Sequence, residues 1–389
     1  MKAYEQVEAY MQEIELKYIK NSNDFIAGLT YRTDKNYALK VAQELNARGT
    51  GQVTSNSVFY KMKNESLTAS IYISAAFDGG LFRHLGNLII DSKELFDGKT
   101  IIDMGCDCGI VTCFIAKMYP SCRVTGVDIN SSAVENGKQL AEKLSLDNVD
   151  FVCADVNDYH ADDKADTICS FRGLLDICFE KTSSLPFFGE MERRENMYCQ
   201  AFSGYAQAIS DNLKNDGSVL SVERYTADYG WLGWMKALSA CGINMNAEKC
   251  MLMRASDINS VKEYSVTLAQ KSAGCSPMAA FNAVLSRDFK SGTGYEGGMA
   301  EFALYSDADG DIDIYDIFDG DKIVHQFACA KAESGKLMYY DANSTKKKIK
   351  YMNPKKKDAL DKMLRDNLSV YSDEKYKIEH LTVGSAIKE

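Results

Sequence analysis

The sequence predicts an α/β fold in three parts: a mostly helical N-terminal cap (1–96), a largely parallel sheet with helices on both faces (97–273), and an α+β domain (274–389). Three observations carry this. From Lys99 to about Ser272 short apolar runs alternate with helical patterns, as parallel strands joined by crossover helices do. Ahead of Lys99, apolar residues recur mostly at helical spacing. Beyond Gly274 the pattern shortens to alternating runs split by DADG, DG and SGK turns, an antiparallel meander.

In the first part Tyr4, Val7, Tyr10 and Met11, then Ile14 and Leu16 to Tyr18, form an apolar stripe, and NYALKVAQELNARG gives a second helix ending at Gly49. VFYKM and LTASIYISAAF are rich in β-branched and aromatic residues and read as strand-prone, before GLFRHLGNLIIDSKELF returns to a helical period. In the central part TIIDMG, CRVTGVDI, VDFVCADV, ADTICSF and GSVLSVERY read as strands. VTCFIAKMYP, stopped by Pro120, then SAVENGKQLAEKLS, GYAQAISDNLK and LGWMKALSACG read as helices, and CMLMRAS with EYSVTLAQK as an antiparallel edge hairpin. In the last part the meander starts at AEFALYSDADG; a helix, KKKDALDKMLRDNL, follows it, and YKIEHLTVG returns as an edge strand.

Composition narrows the function classes. A chain of 389 residues, 46% hydrophobic, can bury a substantial core. Its 45 basic and 55 acidic residues leave a net charge of −10, which argues against coating nucleic acid or anionic membrane over the whole surface. Glu5, Glu8, Glu13 and Glu15 interrupt the first apolar stretch, unlike a signal peptide, and no apolar run approaches the roughly 18 residues of a membrane span. A soluble, cytoplasmic protein is expected. Twelve cysteines without a CxxC pair, among them Cys153 and Cys169 in strand-like runs, read as small buried hydrophobes in a reducing compartment. His84, His160, His325 and His380 include no i, i+4 pair, so no metal site is expected.

In open α/β sheets ligands bind beyond the carboxyl ends of the strands, where a glycine-containing turn leads into a helix. That turn here is Asp103-Met104-Gly105-Cys106-Asp107-Cys108-Gly109, in which Gly105 and Gly109 permit tight turning and close approach of a ligand. Asp103, ending the strand, suits a cationic ligand better than a pyrophosphate. The second strand ends in Asp128, 25 residues further on, the spacing at which a carboxylate meets ribose hydroxyls. The third ends in Asp155, which can accept from an adenine amine while Val156 packs nearby.

These motifs resemble the class I S-adenosylmethionine-dependent methyltransferases: IIDMGCDCG is similar to their first motif, VTGVDI to the acidic second strand and FVCADV to the third. The resemblance implies a Rossmann-like seven-stranded sheet and S-adenosylmethionine as cofactor. The binding set it implies is Asp103, Gly105, Cys106, Gly109, Asp128, Ile129, Asp155, Val156 and Ser170. In that set Gly105 and Gly109 line the methionine end, Asp103 lies near the amino group, Asp128 holds the ribose and Asp155 the adenine. One residue departs from the pattern: Asp107 replaces the usual central glycine. It either turns outward, favours the positive sulfonium and amino group, or marks a site that no longer binds.

The family places substrate groups after the fourth strand, here Ser170 to Asp176, and the Asn-Pro-Pro-Tyr-like motif of amide-methylating enzymes is missing there. Candidate pocket residues are Phe171, Arg172, Phe187, Phe188 and Trp231. Phe187 and Phe188, with Glu190, Glu192, Arg193 and Arg194, belong either to a lid over the site or to an amphipathic surface helix. Trp231 and Trp234 either wall the acceptor pocket or pack in the core, and Arg172 either binds an acidic substrate or pairs with Asp176. His84 is a base if the cap closes over the site, and otherwise a surface histidine. Methyl transfer from a sulfonium draws much of its rate from positioning and desolvation, so no catalytic residue is assigned.

Two further stretches need weighing. SDADGDIDIYD resembles a calcium loop, but counted from Asp307 its sixth position is Ile312 where such a loop needs Gly, so it reads as a hairpin turn. Lys346 to Lys348, Lys350 and Lys355 to Lys357, near Tyr339, Tyr340 and Tyr351, form either a solvated helix flank or a face for RNA. The expected activity is methyl transfer to an O or N atom of a small molecule. The alternatives are an RNA or protein methyltransferase docking through this lysine-rich domain, and a noncatalytic cofactor-binding or assembly module.

Overall fold

The computed structural model describes residues 2–19, 21–49, 57–182, 185, 191–225, 228–343 and 346–384, and among these six α-helices precede the first strand. They are α1 (Ala3–Glu13), α2 (Ser22–Arg32), α3 (Lys35–Gly49), α4 (Ser57–Lys63), α5 (Leu67–Phe77) and α6 (Gly79–Asp91). VFYKM and LTASIYISAAF, expected as strand-prone, are thus helical. Ser66 caps α5 by accepting from the Ala69 N–H at 3.3 Å, and Ala69 to Ala76 are buried on every side. A run that is apolar all round suits a buried helix as well as a strand, and the small residues Ala69, Ser70, Ser74, Ala75 and Ala76 let neighbours pack closely around this one.

Strands and helices then alternate as the sequence implied: β1 (Thr100–Met104), α7 (Ile110–Met118), β2 (Arg123–Asp128), α8 (Ser131–Lys143), β3 (Val149–Cys153), β4 (Ala165–Phe171), α9 (Leu174–Ile177), α10 (Phe179–Thr182), α11 (Met191–Asn212), β5 (Leu213–Glu223), α12 (Tyr229–Ala240), β6 (Ile243–Met245), β7 (Met251–Ser256) and β8 (Val261–Lys271). The sheet runs β3-β2-β1-β4-β5-β8-β6, with β7 also on β8. β1 to β5 are parallel, and β8 is antiparallel to β5, β6 and β7. The expected hairpin of β7 and β8 exists, but β8 is interior. β5 occupies one of its edges, while β6 and β7 line the other, which makes eight strands where seven were expected.

The chain lays down β1, β2 and β3 outward, then crosses back to place β4 beside β1, so the strand order reverses between β1 and β4. Residues of α1 and α2, including Tyr10 and Phe25, share one core with Ile101 and Val222 of the sheet. Apart from the first parts of α11 and α12, these elements lie in one compact unit (Met1–Ser183, Gln200–Tyr225, Trp234–Ala280).

A second unit comprises Ser184–Cys199, Thr226–Gly233 and Phe281–Glu389. The chain continues with α13 (Pro277–Asp288), β9 (Tyr295–Glu296), α14 (Gly298–Asp307), β10 (Ala308–Asp319), β11 (Lys322–Ala332), β12 (Leu337–Asn343), β13 (Lys346–Met352), α15 (Lys357–Ser369) and β14 (Tyr376–Gly384). The antiparallel sheet runs β14-β10-β11-β12-β13-β9. Ala300, Ala303 and Leu304 of α14 pack with Ile312 and Tyr340 on one face, and Leu360 of α15 with Phe327 and Tyr339 on the other.

Three expectations are corrected in this unit. AEFALYSD is helix rather than the first strand of the meander, because Ala300, Ala303, Leu304 and Asp307 recur at helical spacing and are buried. DADG is the junction of α14 with β10 rather than a hairpin turn; the turns fall at Gly320 and Gly335, whose φ values are +62° and +78°. Lys346 to Lys348 and Lys350 belong to β13 rather than to a helix flank. Among the described residues no helix is long and apolar enough to cross a membrane, and no disulfide links the twelve cysteines.

Candidate functional site

The first unit concentrates polar groups at the carboxyl ends of β1 to β5. β1 ends in Asp103 and Met104, and the chain turns at Gly105, whose φ of +78° favours glycine. The Gly105 and Cys106 amides both donate to the Val127 carbonyl, at 2.8 and 3.1 Å, which ties the turn to β2. Cys106 is buried. A methyl group placed on Gly105 would lie 3.6 Å from Ile177 Cδ1 and 3.9 Å from Gly173 Cα, so the loops after β1 and β4 face each other across the switch point.

Gly109, with φ +73°, opens α7. Its missing side chain leaves room for protein, since a Cβ there would stand 2.5 Å from the Phe151 ring. The same ring abuts Gly126 and Gly137. The sequence argument that a Cβ at this position would occupy ligand space is therefore corrected: Phe151 occupies it.

The three acidic strand ends lie on adjacent strands at one end of the sheet, with different partners. Asp103 is buried and accepts from the Thr112 hydroxyl at 2.6 Å; burial, only partly offset by that bond, pushes its carboxyl up to about 7. Asp128 accepts from the Asp107 amide and the Asn130 amide, both at 2.9 Å, and burial, with the Asp107 charge, raises it to about 6. Asp155, partly exposed, accepts from the Asn157 amide and side chain at 2.9 Å. Ile129, beside Asp128, is 69% exposed, and Val156 is buried.

Asp107 occupies the left-handed region at φ +49° and turns toward α4. Lys63 Nζ donates to it at 2.5 Å and Asn64 Nδ2 at 2.7 Å. Burial opposes the Lys63 charge, yet Asp107 outweighs it and holds the ammonium above its ordinary pKa. α4 also reaches the neighbouring loops. The Tyr60 carbonyl accepts from Asn130 at 3.1 Å, and its hydroxyl donates to Asp176 at 2.6 Å.

Ser170, fully buried at the end of β4, donates to Glu223 at 2.7 Å and accepts from the Tyr205 hydroxyl at 3.1 Å. Glu223 also accepts from Ser221 and from the Leu174 amide, and burial raises its carboxyl to about 7 despite these bonds. Phe171 packs against the core beside it. Arg172 does not pair with Asp176 as the sequence suggested: its guanidinium meets Asp78, and Asp176 is held by Tyr60 and lies 3.5 Å from Arg224. Asp78 closes α5 beside Gly79, a position that no spacing in the sequence links to Arg172.

Sequence reasoning missed Tyr60, Lys63, Asn64, Asp78, Glu223 and Arg224. Glu223 and Arg224 carried a signal, since they end the fifth strand just as Asp103 and Asp128 end theirs. The first four are brought in by the helices misread as strand-prone.

Other candidates fall elsewhere. Trp231, in the second unit, is fully buried with its ring 5.7 Å from Phe281, which makes it a core residue rather than a pocket wall. Trp234 is buried against Tyr205 in the first unit. Phe187, Phe188 and Glu190, with the Glu192 side chain, lie outside the described residues. Arg194 is buried on Glu301, which also receives Lys347. His84 is exposed on α6 and lines a cleft of about 170 Å³ with Lys17, Arg83 and Asp257.

Comparison with known proteins bears on the stretch of chain that carries these residues. Residues 95–260 match the profile of a family described as "Methyltransferase domain". The chain is 30% identical over 137 residues to the probable (S)-tetrahydroprotoberberine N-methyltransferase 2 of Papaver bracteatum, covering 32% of this chain and 38% of that protein. It is 37% identical over 81 residues to the (S)-tetrahydroprotoberberine N-methyltransferase of Eschscholzia californica, covering 21% and 23%. The chain thus spans well under half the length of these curated relatives. Among solved structures, the magnesium protoporphyrin IX methyltransferase of Synechocystis PCC 6803 with bound SAM aligns over 53% of this chain and 84% of its own, with 14% identity and a TM-score of 0.36. Residues 95–260 are thus similar to a methyltransferase domain, in line with the resemblance of the motifs they contain to the class I S-adenosylmethionine-dependent methyltransferases.

Proposed function

We propose that the protein transfers a methyl group from S-adenosylmethionine to an N or O atom of a small-molecule acceptor. One observation carries the small-acceptor reading: α4 bridges the loops after β1, β2 and β4, through Lys63 to Asp107, the Tyr60 carbonyl to Asn130 and the Tyr60 hydroxyl to Asp176. A helix tied across the switch point leaves room for a compact acceptor and obstructs a folded macromolecule. The names of the relatives, N-methyltransferases of alkaloid type, support the same class.

The donor set fits the cofactor. Asp128 spends one lone pair of each oxygen on a backbone amide and keeps others for ribose hydroxyls. Exposed Ile129 offers an apolar surface to the purine, and Asp155, with Val156 behind it, an acceptor for its amine. Gly105 and Cys106 present turn backbone, and Ser170 fixes the floor beneath through Glu223. Asp103, tied to Thr112, and Gly109, packed on Phe151, shape the loop from below. When bound, the cofactor supplies a methyl group on a positively charged sulfur that is open to in-line displacement. This chain contributes orientation and exclusion of water, which can account for much of the rate of such a displacement.

The rival readings weaken on particular contacts. Lys63 compensates the Asp107 charge, so the departure that suggested a noncatalytic module has a local counterion. Lys346 pairs with Asp341 and Lys348 with Glu296, and Lys347 is buried on Glu301, which leaves less of the lysine-rich strand available to RNA. We assign the protein to the cytosol, in keeping with its cysteines, none of which forms a disulfide among the described residues.

Calorimetric titration with S-adenosylmethionine and S-adenosylhomocysteine tests the reading, followed by release of S-adenosylhomocysteine on incubation with a panel of small amines and phenols. Binding of both ligands and turnover of at least one acceptor are expected. Absence of binding by either ligand would remove the methyltransferase assignment.

A further inference from the structure

The proposed site has a second set of groups that cofactor binding does not use. Arg172 follows β4 and Arg224 follows β5, which are adjacent parallel strands with Phe171 opposite Val222. The Arg172 amide donates to the Val222 carbonyl at 2.8 Å, so both guanidiniums leave from neighbouring strand ends, where open α/β sheets bind ligands. Arg172 does so from left-handed backbone, at φ +60°, a conformation that costs a branched-out side chain some strain.

Each guanidinium uses one nitrogen. Arg172 Nη1 meets Asp78, and Arg224 Nη2 lies 3.5 Å from Asp176 and 3.4 Å from the Tyr60 hydroxyl. A guanidinium carries five N–H donors in a planar fork. Among the described residues, both Nε atoms are buried without a hydrogen-bond partner. The two side chains keep 20% and 28% of their surface, so a small ligand can reach their outer nitrogens. Burial, reinforced by the Arg224 charge, lowers the Arg172 guanidinium to about 10, whereas at Arg224 burial is outweighed by Tyr60 and Asp176, which hold it above its ordinary value.

We propose that a carboxylate of the acceptor is held by Arg172 and Arg224, and so that the acceptor is an amino or hydroxy acid rather than a neutral amine or alcohol. This rests on the methyltransferase reading and specifies its substrate class. A planar oxyanion matches the guanidinium fork through two parallel hydrogen bonds, and its charge relieves the repulsion between the two arginines. Bound there, at the ends of β4 and β5, the acid lies across the switch point from the loop after β1, which leaves the rest of the acceptor to extend toward the proposed cofactor position.

The probes are benzoate and its neutral analogue benzyl alcohol, titrated by calorimetry into protein saturated with S-adenosylhomocysteine. In the wild-type protein benzoate is expected to bind at least tenfold more tightly than benzyl alcohol. In Arg172→Gln and Arg224→Gln that ratio should fall toward one, with partial retention in Arg224→Lys, while affinity for S-adenosylhomocysteine shifts less than threefold. Equal affinity for the two probes in the wild-type protein, or no benzoate binding at millimolar concentration, overturns the proposal without relying on any variant. A parallel loss of S-adenosylhomocysteine affinity in the variants also overturns it, because the arginines would then serve the cofactor's own carboxylate. If S-adenosylhomocysteine does not bind the wild-type protein, the methyltransferase reading fails on its own, and the same titration of the free protein still decides whether the arginine pair selects a carboxylate.

Discussion

Lys63 Nζ lies 2.5 Å from a carboxylate oxygen of Asp107, and this ion pair joins α4 to the turn after β1. Lys63 is almost fully buried, whereas Asp107 keeps about a quarter of its side chain exposed. Lys63→Met should destabilise the protein by about 2 kcal/mol, below the range for a fully buried pair because Asp107 retains some water. Urea unfolding measures this, and the double variant with Asp107→Asn should recover part of the loss. A Lys63→Met protein as stable as the wild type would mean that the pair contributes nothing net.

Asp128→Ala should weaken S-adenosylhomocysteine binding at least tenfold, since a charge-assisted contact is worth about 1.5 to 3 kcal/mol. The substitution also frees the Asp107 and Asn130 amides, so Asp128→Asn, which keeps an acceptor for one of them, separates loss of charge from collapse of the loop. Unchanged affinity in both variants would show that the ribose is held elsewhere.

Two glycines of the same turn should respond differently. Gly109→Ala places a methyl group 2.5 Å from the Phe151 ring at a positive φ, and overpacking of this kind costs about 1 to 3 kcal/mol of stability. Gly105→Ala meets nothing nearer than 3.6 Å, so its stability cost is limited to the left-handed backbone, about 1 kcal/mol, and its main effect should be on cofactor affinity. Thermal unfolding and calorimetry on the two variants distinguish these outcomes. A Gly109→Ala protein that is fully stable but unable to bind would reverse the assignment.

The buried carboxyl of Glu223 gives stability a pH dependence. An unfolded-chain glutamate titrates near about 4.3, and the folded group is raised to about 7. Between those values the folded protein holds a proton that the unfolded chain has released, so this contribution is fully present below about pH 4 and is lost as pH rises toward 7. Asp103 and Asp128, also raised, act in the same direction. Glu223→Gln should flatten the fall in stability between pH 5 and 8, measured by urea unfolding across that range. An unaltered slope would show that Glu223 remains ionised in the fold.

The central sheet was legible because β1 to β5 each contain a short apolar run with a charged or glycine residue at or just beyond its end, and the crossover helices have a clear apolar period. Asp103, Asp128 and Asp155, proposed to face the cofactor, were legible for the same reason, as they lie at or just beyond the ends of their strands. The N-terminal part was not. LTASIYISAAF has β-branched residues that favour a strand locally, and only the buried surroundings of Ala69 to Ala76 decide for a helix. Misreading VFYKM in the same way hid Tyr60, Lys63 and Asn64 of α4 and its end, whose partners Asp107 and Asp176 lie more than forty residues away in sequence. The extra strand is β6, only three residues long, which was not read as a strand and whose pairing depends on β8 entering the sheet interior. In α14, by contrast, the helical spacing of Ala300, Ala303, Leu304 and Asp307 was present in the sequence, and the acidic run after it drew the reading toward strands.

In the second unit β10 lies between β11 and β14, and β14 is made last. During synthesis at about 5 to 20 residues per second, one side of β10 stays uncovered for roughly 3 to 10 seconds after its hairpin with β11 becomes possible. An open strand edge recruits other chains. Nascent polypeptides stalled before Tyr376 would present that edge permanently, so interrupted translation turns a structural component of this sheet into a seed for aggregation.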